Sequence, residues 1–253
     1  MSYFIKKIES NRRFQRHHFE CGESIVTFLC NERYVQCGIN AVVQNRNELH
    51  KYIEKSPEFK TAHQPLQAEP NAPHIVRKMC EETTKLHVGP MAAVAGAIAD
   101  IALCTLLAAG APEAVVDNGG DIALFVSDML IVGVYAENPR FESLVFRIEP
   151  RDSVLGICTS SGTVGHSWSY GRSYAAVVIS EDVVLADAAA TALGNYVQEE
   201  IDIGKSFSVV EPIEDIEGAL VILKDKIGLW GTLPQLTKND VDYNLITMGK
   251  NYG

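Results

Sequence analysis

The stretch from Val88 to Asp121, VGPMAAVAGAIADIALCTLLAAGAPEAVVDNGGD, most constrains what this chain can fold into. It reads as a helix of small residues opened by Gly89-Pro90, a connection marked by Pro112, a strand over 114–117, and a glycine turn carrying Asn118 and Asp121 into the next strand. Ala92, Ala93, Ala95, Gly96, Ala97 and Ala99 offer so little bulk that another backbone or a flat ligand can come close. Gly96 costs about 1 kcal/mol of helix propensity against alanine, and close approach must recover it. ADAAATALGN at 186–195 has the same character and supplies a companion helix, with Asp187 and Thr191 one turn apart on a shared face.

The chain around these two helices is expected to be rich in short strands. An extended segment over 14–21 precedes strands over 24–30 and 34–39, whose β-branched and aromatic residues suggest a hairpin around Asn31-Glu32-Arg33. Helical composition follows over 45–52, with Asn45 or Asn47 as its cap. Pro57, Pro65, Pro70 and Pro73 then frame a long loop near 56–73, a length uncommon inside a compact domain. A helix is expected over 74–86, with Ile75 and Met79 on its apolar side.

Beyond the glycine turn, strands are expected over 122–126, 130–135, 144–148, 154–159, 174–180 and 183–185, the last two joined by a turn at Glu181-Asp182. The companion helix runs over 186–197. Strands over 207–210, 219–223 and 227–229 follow, the latter two forming a hairpin around Lys224-Asp225-Lys226, and a tail after Pro234 shows no sustained periodicity. This order of helices and strand runs predicts an α+β fold, helices packed on a mixed or mainly antiparallel sheet, with residues 1–253 as a single domain.

Charge and cysteine usage narrow the classes of function. The formal charge of −10, much of it C-terminal to residue 180, disfavours attraction to nucleic-acid phosphates, and no nucleic-acid partner is expected. The apolar run near 88–112 is interrupted by Asp100 and lacks the large aliphatic residues of a lipid-facing span, so no membrane role is expected. Six cysteines without a Cys-x-x-Cys pair do not make a disulfide framework, and a cytoplasmic protein with reduced thiols is the expectation.

Four groups of residues carry candidate chemistry. Asn118-Gly119-Gly120-Asp121 permits close ligand approach and places a carboxylate for a hydroxyl or metal, although a hairpin needs glycines for geometry alone. Asp187 and Thr191 are oxygen donors for a hard cation, or an N-terminal acid and a hydroxyl turned back on its helix. Cys158-Thr159-Ser160-Ser161-Gly162, followed by His166, offers hydroxyls, amides and an imidazole for an anion or proton; such runs are also common turns. Asp100, in an alanine-rich helix, is either exposed or specifically paired, because burial alone is costly.

Taken together, these blocks resemble the ApbE superfamily, and within it a branch of methanogenic archaea and some bacteria. The resemblance spans roughly 85–195. Gly96-Ala-Ile-Ala-Asp100 resembles the family's Gly-x-x-x-Asp helix of the flavin nucleotide site, with Ala95 where the transferases usually carry lysine. Asn118-Gly119-Gly120-Asp121 resembles its nucleotide turn, and Ala186-Asp187-Ala-Ala-Ala-Thr191-Ala-Leu resembles Ala-Asp-Ala-x-x-Thr-Ala-Leu. Thr159-Ser160-Ser161-Gly162 resembles the Thr-Ser-Gly turn before a catalytic histidine. Here His166 follows without the transferases' intervening hairpin, and their Asp-Pro-x-Thr-Gly element is absent.

The resemblance implies binding of FAD or FMN, or another phosphate-bearing small molecule, with Mg²⁺ held by Asp187 and Thr191. Gly96, Asp100, the Asn118–Asp121 turn and Thr159 to Gly162 would surround the nucleotide, and His166 would assist group transfer. It also implies a twofold assembly, a homodimer. Association of this branch with sulfide assimilation and homocysteine formation implies a rival route through Cys158, or through the Cys30/Cys37 pair, as a persulfide carrier with a protein partner in sulfur metabolism. A third reading is a non-catalytic nucleotide-binding partner protein.

Overall fold

The computed structural model describes residues 5–6, 14–136, 138–161 and 171–239. In chain order the strands are β1 (Ile5–Lys6), β2 (Gln15–Cys21), β3 (Ser24–Cys30), β4 (Ala114–Asn118), β5 (Asp121–Phe125), β6 (Leu130–Gly133), β7 (Leu144–Ile148), β8 (Leu155–Ser160), β9 (Ala175–Ser180), β10 (Ile216–Leu223), β11 (Lys226–Gly231) and β12 (Gln235–Lys238). The helices are α1 (Glu32–Lys55), α2 (Glu58–Thr61), α3 (His74–Lys85), α4 (Val94–Ala108), α5 (Val183–Tyr196) and α6 (Asp202–Ser206). Every strand pairing among the described residues is antiparallel. The α+β, mainly antiparallel expectation holds.

The pairing makes an eight-stranded sheet in the order β11-β10-β9-β8-β5-β4-β3-β2 and a four-stranded sheet in the order β1-β6-β7-β12. Side chains alternate across the larger sheet, as period-two geometry requires. Val116, Ala123, Cys158, Val178 and Val221 join the cluster under α1, α3, α4 and α5, whereas Val115, Ile122, Ile157, Val177 and Leu220 join a second cluster with Val132 and Phe146 of the smaller sheet. The central strands are buried on both faces, which is why they read as continuous apolar runs rather than alternating ones. Sidedness therefore separates Asp121 and Cys158, toward the helices, from Asp117 and Thr159, toward the smaller sheet.

Several local readings change. Residues 34–39 lie in the first two turns of α1, not in a strand, because Tyr34, Gly38, Ala41, Val42 and Leu49 form a buried helical stripe that outweighs β-propensity. Asn31 is the helix cap, accepting the Arg33 backbone N–H at 3.2 Å, in place of Asn45 or Asn47. The hairpin lies one element earlier, between β2 and β3. Residues 183–185 are the first turn of α5: the Asp182 carboxylate caps the Val184 and Leu185 amides, both at 3.0 Å. Residues 207–209 form a short 3₁₀ turn rather than a strand.

Other boundaries shift less. Pro90–Ala93 is a 3₁₀ turn leading into α4, the 56–73 loop contains α2, and the segment after Pro234 supplies β12 against β7. The helical run Pro90–Ala108 is long and apolar enough to cross a membrane, with mean hydropathy 2.1. Here it packs against α1, α5, β4 and β5. Replacing Asn31 with alanine removes the cap of α1 and should lower unfolding free energy by about 1 kcal/mol in denaturant titration, while Asn31→Asp should stay within a few tenths. Equal stability of the alanine variant would count against the cap.

Candidate functional site

The site is built where the small-residue faces of α4 and α5 meet above β5 and β8. A Cβ on Gly96 would lie 2.7 Å from the Asp187 Cβ and 2.8 Å from the Val183 carbonyl oxygen, so the two helix backbones approach as closely as the alanine-rich sequence suggests. The Gly96 backbone N–H donates to Asp187 Oδ2 at 2.7 Å. One turn along on each side, the Thr191 hydroxyl donates to the Ala92 carbonyl at 3.3 Å. Asp187, Thr191 and the Ala92 carbonyl thus bring three oxygen donors to one contact.

The glycine turn enters from the sheet. Gly119 and Gly120 take φ +65° and +106°, which side chains rarely adopt, and close the β4–β5 hairpin across the Asn118–Asp121 pair. The Asn118 side-chain amide donates to the Ala95 carbonyl at 3.0 Å, pinning the turn to α4. Asp121 Oδ1 accepts the Thr159 backbone N–H at 3.1 Å. Cys158, on the helix side of β8, donates its thiol to the Val183 carbonyl at 3.5 Å.

Burial works against charge on the acidic groups of this interior. Burial pushes the Asp121 carboxyl up to about 7, opposed by the Thr159 amide and reinforced by Asp117. Burial also raises Asp187 well above the usual carboxylate range, with the Asp121 charge adding to it, although the Gly96 amide favours the ionised form. The Cys158 thiol is raised by burial and then by both aspartates. A resting thiolate is disfavoured there, and the persulfide route gains no support.

The placement of the remaining residues is as follows. Thr159, Ser160 and Ser161 are buried at the C-terminal end of β8, and among the described residues the Thr159 hydroxyl has no hydrogen-bond partner. Ser160 lies against Gly194 of α5. Asp100 is half-buried and opens instead onto a separate cleft of about 680 Å³, where Lys78, Asp182 and Glu217 also lie. Gly162 and His166, with Trp168 and Tyr170, lie outside the described residues. Among the described residues no three His, Cys, Asp or Glu side chains cluster around a metal position, so a cation here would draw on hydroxyl and carbonyl oxygens as well.

Sequence reasoning did not find the Ala92 carbonyl or the Thr159 amide. Backbone groups leave no residue-type signal, and only the small-residue helix contact hinted that main-chain atoms would be exposed to the site.

The antiparallel sheets, the two apposed small-residue helices and the glycine turn between them define a protein of the ApbE-like α+β class. A family model described as AbpE bacteria matches residues 6–224, and the chain belongs to that family. It is 44% identical over 231 residues to the UPF0280 protein of Methanocella arvoryzae, covering 91% of this chain and 94% of that one. Its fold is similar to the flavin transferase ApbE from Vibrio cholerae, with TM-score 0.57, 14% identity and coverage of 87% of this chain and 97% of that chain. The flavinyl transferase ApbE of Pseudomonas stutzeri, in its apo form, gives TM-score 0.58 at 14% identity, covering 94% and 98%.

Gly96→Ala should destabilise the protein by about 1–3 kcal/mol through overpacking, even though alanine is the better helix former. Gly204→Ala, in open space on α6, should be neutral or stabilising by about 0.5–1 kcal/mol. Chemical denaturation of both variants checks the contrast, and a neutral Gly96→Ala would contradict the tight helix contact.

Proposed function

We propose that this protein binds a flavin nucleotide, FAD or FMN, together with a divalent cation such as Mg²⁺, and uses the site for flavin-related group transfer. The observation that carries the reading is the gathering of the Asp187 carboxylate, the Thr191 hydroxyl and the Ala92 carbonyl at the α4–α5 contact. Hard divalent cations take such oxygen ligands, and a nucleotide phosphate would complete the shell. Two buried carboxyl groups, both raised by burial and Asp187 also by the Asp121 charge, fit a space meant to receive positive charge. The fold shared with flavin transferases supports the same reading.

When bound, the cation would polarise phosphate oxygens and offset charge developing on them. Asn118, fixed to the Ala95 carbonyl, would hold the glycine turn at the nucleotide, leaving backbone amides free to approach it. Asp121, anchored by the Thr159 amide, would hold or release a proton at its carboxyl. Ser160 and Ser161 would line the nucleotide side at the end of β8, Thr159 would act through its backbone amide, and His166 would assist transfer. Burial of these groups would exclude water from the reacting phosphate.

The direct test is to incubate the purified protein with FAD and Mg²⁺ and to follow AMP release and flavin attachment by mass spectrometry. Transfer is expected; reversible FAD or FMN binding without either product would leave a binding role, and no nucleotide binding would refute the reading. Asp187→Asn should weaken cation affinity at least about tenfold, which is ~1.4 kcal/mol. The same variant should melt higher than wild type without cation at alkaline pH, where Asp187 would otherwise carry an unfavourable buried charge.

The pH dependence follows from the same groups. Asp121 has a folded pKa of about 7, well above the ordinary aspartate value of 3.8, so the unfolded chain ionises first as pH rises. The cation-free protein should therefore be most stable below the unfolded pKa, lose stability as pH climbs from about 4 to about 7, and then level off. Mg²⁺ should flatten this slope. Melting temperatures across that range, with and without Mg²⁺, check both the sign and the rescue.

A further inference from the structure

Asp117 is a carboxylate on the opposite face of the sheet from the helix contact, 1% exposed, and nothing in the functional reading so far uses it. Its Oδ1 accepts the Gly120 backbone N–H at 3.0 Å. Gly120 sits at φ +106° in a turn whose flanking residues are the two polar groups presented to α4 and β8. Asp117 therefore grips the turn from below while Asn118 and Asp121 act above it. On that lower face β3 pairs Thr27 with Asp117, and β2 pairs His18 with Thr27 and Arg16 with Leu29.

We infer that Asp117 is a positioning residue for the candidate site: by holding the Gly120 amide it fixes the Gly119-Gly120 turn, and so sets where Asn118 and Asp121 stand. Arg16, on the edge strand β2, faces the same side of the sheet and feels the Asp117 charge. Burial lowers the Arg16 pKa and the Asp117 charge opposes that loss, as an interacting pair requires. Among the described residues, the other titratable groups on this face include Glu113, just before β4, and His18, hydrogen-bonded to Thr27 at 3.5 Å and to Glu20 at 2.9 Å; from the opposite face, Asp121 has its carboxyl raised by the Asp117 charge.

The acceptor and the charge can be separated. Asp117→Asn keeps an oxygen for the Gly120 amide and removes the charge; Asp117→Ala removes both and leaves a buried donor unpaired, a loss worth about tenfold or more in an equilibrium that depends on the turn. The position of Asp117 in the site rests on the flavin reading, so two readouts are taken on wild type and both variants: Kd for FAD with Mg²⁺, and amide hydrogen exchange at Gly119 to Asp121.

The expected result is that Asp117→Ala raises the FAD Kd at least about tenfold and speeds exchange at Gly120 by a similar factor, while Asp117→Asn restores both to within about threefold of wild type. Should wild type bind no flavin, the functional reading fails and the exchange data alone judge Asp117. Wild-type exchange at Gly120 in Asp117→Ala would overturn the positioning role, as would a flavin Kd unchanged by the alanine. An asparagine variant as impaired as the alanine in both readouts would overturn it too, because charge rather than the hydrogen bond would then be the active property.

Discussion

The rest of the structure depends on one contact, the seating of Asp187 against the backbone of Gly96. A carboxylate inside an alanine-rich helix pair is costly, and the fold meets that cost with a 2.7 Å hydrogen bond from the Gly96 amide that forms only because no side chain separates the helices. Small residues on α4 and α5 are thus less a propensity choice than the means of exposing main-chain atoms. The same closeness puts the Ala92 carbonyl within reach of Thr191. One steric choice creates both the interhelix packing and the oxygen-lined site.

The large sheet completes this contact by keeping its two faces chemically distinct. On the helix side, Asp121 and Cys158 rise from adjacent antiparallel strands toward Asp187. On the other side, Asp117 accepts the Gly120 amide without adding a side chain to the contact. Alternation at period two lets residues adjacent in sequence, Asp117 with Asn118 and Cys158 with Thr159, do different work on opposite faces. Burial on both faces supplies the low-polarity surroundings that raise the carboxyl and thiol pKa values.

Much of the architecture was legible because its strongest signals are local and redundant. The glycine turn, the Lys224–Lys226 hairpin and the strands around 144–148 and 175–180 carry turn chemistry and β-rich composition together, and they fall where expected. Tyr34, Val35 and Ile39 misled because β-propensity is weak beside a buried helical stripe that runs from Tyr34 to Leu49. Val183 to Leu185 misled for a related reason: Asp182 looked like a turn residue and is a helix cap. For the site, the side-chain motifs were readable, and Asp121 and Asp187 come together. Asp100, in the same helical motif as Gly96, opens onto another cleft, because residues four apart on α4 meet different neighbours on α3 and α5.

The central claim is that the oxygen atoms at the α4–α5 contact hold a cation against nucleotide phosphate. Electron–nuclear double resonance of Mn²⁺ added to the protein tests it most directly. The account predicts ³¹P coupling to the bound Mn²⁺ when FAD is added, and its loss when Asp187 is replaced by alanine. A Mn²⁺ signal that remains that of the aqueous ion, or a bound signal without phosphorus coupling in the presence of saturating FAD, would contradict it.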